Sequence, residues 1–212
     1  TYAHTVSTQR RHFRQSRRAG AFADTLIPAE AETHRHVAAL NAENAMTNTI
    51  KIRQADERDR AGLEACFDEL QSFELSIEPN RAEPSLIRNA YLQSLFDECT
   101  KSAGAIFVAE ISNRVIGFVC VLSRLDSEDI LERDREHAYV TDLVVLEPYR
   151  KAGIASELMR IAEAHAFSSG ARRLRVGVLA ANTAAHNLYR QLGYRDREIV
   201  LEKTLGPTQG TT

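Results

Sequence analysis

Residues 145–157 read V-L-E-P-Y-R-K-A-G-I-A-S-E, and this stretch decides the fold. An apolar run from Tyr139 to Leu146 stops at Pro148. Arg150, Lys151, Ala152, Gly153, Ile154 and Ala155 then lead into helical periodicity. A strand, a short turn with a glycine and a small residue, and a helix start together form an anion-binding arrangement. The first amides of a helix have no intrahelical acceptor, and the positive end of its dipole lies there. Gly153 and Ala155 lack bulk, so backbone can approach an anion, and Arg150 and Lys151 add charge nearby. A ligand bearing a diphosphate suits this turn.

Upstream, Thr49–Arg53 alternates and reads as a strand. Asp56 is placed to cap a helix running to about Phe73, with Leu63, Cys66, Phe67, Leu70 and Phe73 at three- and four-residue spacing. Glu74 to Glu83 reads as a turn region. Pro84 opens a second helix whose stripe is Ile87, Tyr91, Leu95 and Cys99, ending at Gly104. Ala105–Ile111 and Val115–Leu125 form an antiparallel hairpin through Ser112-Asn113-Arg114. The charged loop Asp126–Arg135 precedes the strand Ala138–Val145. Downstream of the turn come a helix from Ile154 to Ser168, a strand Leu174–Leu179, a short helix Asn182–Leu192 and a last strand Glu198–Leu205. This order predicts an α/β fold. Its mixed central sheet has about six to seven strands, antiparallel at first and parallel where helices cross over, flanked by about four helices.

Residues 1–45 differ from the rest. They hold six Arg, no Lys and four acids, and their first 23 residues carry five Arg and no acid. The segment is expected to be a poorly ordered extension. Its composition suits an organelle transit peptide, an expression remnant or an upstream extension of the reading frame, so it need not be native. The functional domain is expected to span 46–206, starting near Met46, with 207–212 a flexible C-terminus.

The 212 residues carry a net charge of −2, which argues against a polyanion binder, so nucleic acid is not an expected partner. No apolar run approaches the roughly 20 residues of a membrane span. Cys66, Cys99 and Cys120 are isolated and read as reduced core thiols, which favours a cytoplasmic setting. There is no metal-ligand cluster, and His34 and His36 lie in a polar, solvated segment. His165 reads as packed and His186 as exposed.

About 30 residues past the turn, 182–194 read N-T-A-A-H-N-L-Y-R-Q-L-G-Y. With this segment the chain resembles the GNAT acyltransferase superfamily, which transfers an acyl group from coenzyme A to an amine. The family's first motif, a strand followed by R/Q-x-x-G-x-G/A and a helix, is met by Asp142–Val145 and then Arg150, Gly153 and Ala155. Its second, N-x-x-A-x-x-L-Y-x-x-x-G-F/Y, is met at Asn182, Ala185, Leu188, Tyr189, Gly193 and Tyr194. The common turn is R-G-x-G-x-G; Lys151 and Ala155 replace two glycines, and the family tolerates both.

The resemblance implies an acetyl-CoA-dependent N-acetyltransferase working by direct transfer, with an amine of a small molecule or peptide as acceptor and no metal. A homodimer is frequent in the family. Backbone amides of Arg150, Lys151, Ala152, Gly153, Ile154, Ala155 and Ser156 would hold the pyrophosphate. Leu143, Val144 and Val145 would pair with the pantetheine arm as if it were an added strand, and a bulge would make room for it. The Val145 amide would stabilise the oxyanion. Asn182 would contact the pantetheine or cap the last helix. Tyr189 would protonate the leaving thiolate, although a tyrosine on such a helix is otherwise a core residue.

Several relatives carry a catalytic glutamate on the strand before the turn, and this chain has Thr141 at that place. Asp142 and Glu136 are the nearest candidate bases, beside a water chain or an amine of low pKa. Successive strand residues face opposite sides, so Thr141 and Asp142 can share the cleft only with a bulge. Glu74, Glu78, Asn80 and Arg81 would shape the acceptor side, with Asp126–Arg135 as a further wall. Acids there would attract a cationic amine or simply solubilise the loops. The alternative reading is a non-catalytic coenzyme A-binding sensor of the same fold. A generic nucleotide-binding domain would carry GxGxxG or a P-loop, and neither is present.

Overall fold

The computed structural model describes residues 49–127, 131 and 135–204. The expectations for 1–45, for His34 and His36, for Leu205, for 207–212 and for most of the 128–134 loop lie outside the described residues.

Five strands form one sheet in the order β1-β2-β3-β4-β5: β1 Lys51–Gln54, β2 Ala105–Ile111, β3 Arg114–Leu125, β4 His137–Val145 and β5 Leu174–Val176. Helices α1 (Arg60–Ile77) and α2 (Pro84–Ser102) follow β1, α3 (Ile154–Ser168) follows β4, and α4 (Thr183–Gln191) follows β5. The first three strand pairs are antiparallel and β4–β5 is parallel. The sheet divides two cores. Leu63, Phe67, Leu92 and Leu95 of α1 and α2 pack with Phe118, Cys120 and Val144. Leu158, Met159, Ala162 and Tyr189 of α3 and α4 pack with Val119, Val121, Leu143 and Val145.

Local chemistry explains the elements. Asp56 accepts from the Arg58 amide while Asp59 accepts from the Asp56 amide, a reciprocal cap that starts the first helical turn. Ser112 and Asn113 both have positive φ, which makes the two-residue turn that suits a right-twisted hairpin. Gly117 is required where β3 meets β4: a Cβ there would lie 2.5 Å from the Val144 oxygen.

One irregularity positions the site. Cys120 pairs with Asp142, but the adjacent Val121 pairs with Val140, so β4 carries an extra residue at Thr141. Ala138 and Val140 pack into the α3-side core, and so do Leu143 and Val145, which strict alternation would forbid. The parallel pairing of β4 with β5 runs through Ala138–Leu174, Tyr139–Arg175 and Val140–Val176 and ends at this bulge.

The structure departs from expectation in three places. Helix α1 runs past Phe73 to Ile77, because Gln71 and Glu74 continue its buried stripe. Strand β5 ends at Val176 rather than Leu179. The last strand expected at Glu198–Leu205 is absent over 198–204, where Ile199, Val200 and Leu201 are exposed. Asp196 is held by His186 at 2.8 Å and by Arg190, which keeps the chain against α4, and three-residue β5 offers little ladder to join. The described sheet therefore has five strands instead of six or seven. Among the described residues no helix is long and apolar enough to cross a membrane.

Candidate active site

The candidate site is the place where β4 parts from β5, beyond the Val140–Val176 pair. Peptide groups alternate in direction along a strand. The Leu146 amide donates to Ile116 of β3 at 2.9 Å, so the N–H and C=O of Val145 point to the opposite side, into the gap. There the Val145 carbonyl accepts from Arg150 Nε at 2.7 Å. The same guanidinium pairs with Glu69 of α1, which also accepts from the Glu147 amide at 2.9 Å. The Arg150 side chain thus ties the turn to β4 and α1 and is mostly buried. The sequence reading set this charge beside the anion; the structure gives the guanidinium protein partners in Val145 and Glu69.

The turn itself fits an anion. Lys151 and Gly153 have positive φ, which reverses the chain ahead of α3. Nothing lies within 4 Å of the position a Gly153 Cβ would take. No side chain caps α3, so the amides of Ile154, Ala155 and Ser156 start the helix without a side-chain acceptor. Lys151, Ala152 and Gly153 are exposed.

Helix α4 supplies two buried polar groups. Asn182 caps it, accepting from the Ala185 amide at 3.1 Å, and its Nδ2 has no protein partner. Tyr189 is 3% exposed and its hydroxyl also has no partner. Burial, then the nearby Tyr139 and Asp142, push its phenol above the ordinary value, so it stays protonated at neutral pH. Buried hydrogen-bonding groups without partners are unusual in a folded protein, and α4 with its cap carries two of them.

Asp142 is fully buried and faces α2, where the Tyr91 hydroxyl donates to its two oxygens at 3.0 and 3.1 Å. Glu74, also fully buried, pairs with Arg81 at 3.1 Å. Glu136 is exposed and lies just outside the opposite end of β4, six positions and roughly 20 Å of strand from Asp142. Asp142 is held on the α2 side by Tyr91, Tyr189 packs in the α3–α4 core where burial raises its pKa and the Asp142 charge contributes, and Glu136 lies apart from both. Thr141 occupies the bulge, and its hydroxyl lies 3.5 Å from the Cys120 carbonyl. His165 is packed, with Nε2 at 3.0 Å from the Ala103 carbonyl oxygen. Among the described residues no group of His, Cys, Asp and Glu is arranged to hold a metal.

Sequence reasoning placed Tyr91 in an apolar stripe and missed its contact with Asp142. The signal was a tyrosine on a buried face, whose hydroxyl must find a partner. Glu74 was assigned to a loop, although it continues the spacing of Leu63, Phe67 and Leu70.

Comparison with known proteins agrees with this architecture. The sequence pattern of the Acetyltransferase (GNAT) family matches residues 63–194, more than half of the chain. The chain belongs to the GNAT acetyltransferase family. It is 34% identical over 74 residues to YycN, an uncharacterised N-acetyltransferase of Bacillus subtilis, covering 35% of this chain and 47% of that protein. It is also 34% identical over 97 residues to the catalytic subunit of the N-terminal acetyltransferase A complex of Arabidopsis thaliana, covering 44% and 47%. The chain spans about half the length of these relatives. The structure of aminoglycoside N-acetyltransferase AAC(6')-Iy in complex with CoA superposes with a TM-score of 0.58 at 18% identity, over 74% of this chain and 95% of that one, a likeness of fold.

Proposed function

We propose that the chain is an acetyl-CoA-dependent N-acetyltransferase that acylates the amine of a small molecule or peptide by direct transfer. The observation that carries this is the gap opened beyond the Val140–Val176 pair. In this reading the Val145 amide, the Asn182 amide group and the Tyr189 hydroxyl, the last two buried without partners, face that gap.

The residues present fit coenzyme A. The amides that open α3 suit its diphosphate, the free side of residues 143–145 suits an extended arm with its own amides, and Asn182 Nδ2 is a donor in want of an acceptor. The donor supplies a thioester carbonyl and a leaving thiolate. In this reading Asp142 accepts a proton from the acceptor's ammonium, directly or through water, and frees the nitrogen lone pair. The Val145 N–H stabilises the oxygen that becomes negative as the C–N bond forms. Tyr189 gives its proton to the sulfur as the C–S bond breaks, and the proton left on the acylated nitrogen restores the phenol. The buried acid Asp142 favours a cationic amine, whereas Glu74 is already paired with Arg81. Three buried free thiols suit a reducing cytoplasm.

The test is a thiol-release screen with acetyl-CoA across amine classes: polyamines, aminoglycosides and peptides with free N-termini. Turnover with at least one class is expected. Tight coenzyme A binding with no thiol release across the panel would favour the sensor reading.

A further inference from the structure

We propose that Tyr91 is a positioning residue for the acyl transfer, holding the Asp142 carboxyl group fixed at the bulge of β4. This rests on the reading of Asp142 as the base. The Tyr91 hydroxyl lies 3.0 and 3.1 Å from the two oxygens of Asp142. Its ring stacks on Phe67 of α1 with centroids 4.8 Å apart, so the donor is fixed from two helices. Asp142 is fully buried and cannot draw on bulk water for orientation.

The type of donor matters. A hydrogen bond to a carboxylate favours its charged form. An arginine would do so too strongly and hold the proton affinity too low for a base, whereas a neutral phenol stabilises the anion and leaves it basic. The surrounding groups fit this division of labour. Cys120 of β3 faces Asp142 across the ladder as a buried thiol, with the Cys99 sulfur of α2 at 3.6 Å. Glu74 of α1 pairs with Arg81 of the following loop and, after burial and Asp142, adds to the raised pKa of Tyr91. Tyr139 of β4 and Tyr189 of α4 are phenols whose pKa values are raised first by burial and then by neighbours that include Asp142. Burial and Asp142 likewise raise the pKa of Tyr91, so it remains a donor throughout the working range.

The test compares Tyr91→Phe and Asp142→Asn in the full chain, following kcat/KM for the best acceptor from pH 5 to 9 at saturating acetyl-CoA. Asp142→Asn is expected to lose on the order of 10²-fold or more. Tyr91→Phe keeps the ring on Phe67, and its acid limb is expected to move up by about one pH unit, with the KM for acetyl-CoA unchanged. Site-specific fluorotyrosine at position 91, a stronger donor of nearly the same shape, is expected to move the limb the other way and tests the idea even if Tyr91→Phe folds poorly. If Asp142→Asn is inactive but neither change at position 91 moves the limb, Tyr91 is a packing residue and the inference falls while the base assignment stands. If Asp142→Asn keeps the wild-type rate and profile, the base assignment falls and the inference with it.

Discussion

The Arg150 guanidinium donates from Nε to the Val145 carbonyl at 2.7 Å, joining the anion-binding turn to the strand whose amide faces the gap. With Glu69 as its second partner, it fixes the turn against β4 and α1 together. Arg150→Ala is therefore expected to raise the KM for acetyl-CoA and lower kcat, about tenfold or more in kcat/KM, since bonds from a charged donor contribute roughly 1.5–3 kcal/mol. Glu69→Gln should reproduce part of the loss although Glu69 has no role toward phosphate. Steady-state kinetics at low and high salt check this. A silent Glu69→Gln with a salt-screened Arg150→Ala would mean that the arginine acts on the diphosphate instead.

Glycine at 117 and glycine at 153 answer different demands, and their alanine variants should separate. At Gly117 a methyl would meet the Val144 oxygen at 2.5 Å, so β3 and β4 must move apart beside the oxyanion position. Gly117→Ala is expected to cost about 1–3 kcal/mol and to depress kcat. At Gly153 space is open but φ is +80°. Gly153→Ala is expected to cost about 1–2 kcal/mol through backbone strain, with its kinetic effect confined to acetyl-CoA affinity. Denaturant unfolding paired with kinetics distinguishes the two.

Tyr189→Phe removes the buried, unpartnered hydroxyl and leaves the ring contact with Tyr194. A drop in kcat on the order of 10²-fold with little change in the KM for acetyl-CoA is expected. Burial raises the phenol's pKa, so the acid form persists to alkaline pH. No fall in kcat from this group should appear below the ordinary tyrosine value of about 10. Equal rates in the two proteins would reduce Tyr189 to a core residue.

The turn before α3, that helix and the cap at Asn182 were legible because each rests on local chemistry: a glycine with positive φ, apolar periodicity, a short polar side chain before a helix. The bulge at Thr141 was legible only as a condition. Sequence alternation showed that Thr141 and Asp142 compete for one face, but only the register against Cys120 and Val121 shows that β4 carries an extra residue there. The contacts of Tyr91 and Glu69 were missed because they depend on how α1 and α2 cross the sheet, a long-range property with no local period. The strand expected at 198–205 failed for a related reason. Its apolar residues favour extension, but a ladder needs a neighbour, and β5 stops after three residues.

His137 gives a pH dependence of stability rather than of catalysis. It lies at the far end of β4, where Nδ1 donates to the Arg135 carbonyl at 3.1 Å and Nε2 accepts from Arg175 at 3.1 Å, which fixes a neutral ring. Burial lowers its pKa below the ordinary value near 6.5. The unfolded chain then takes up a proton before the folded chain does, so this contribution is full above about 6.5 and is lost as the pH falls below it. Wild-type protein should lose stability as the pH falls below about 6.5. His137→Gln, which can neither gain this proton nor leave Arg175 facing an imidazolium, should be less stable at pH 7.5 but show a flatter decline. Unfolding midpoints in urea at half-unit pH steps measure both curves, and parallel slopes across that window would exclude His137 as the titrating group.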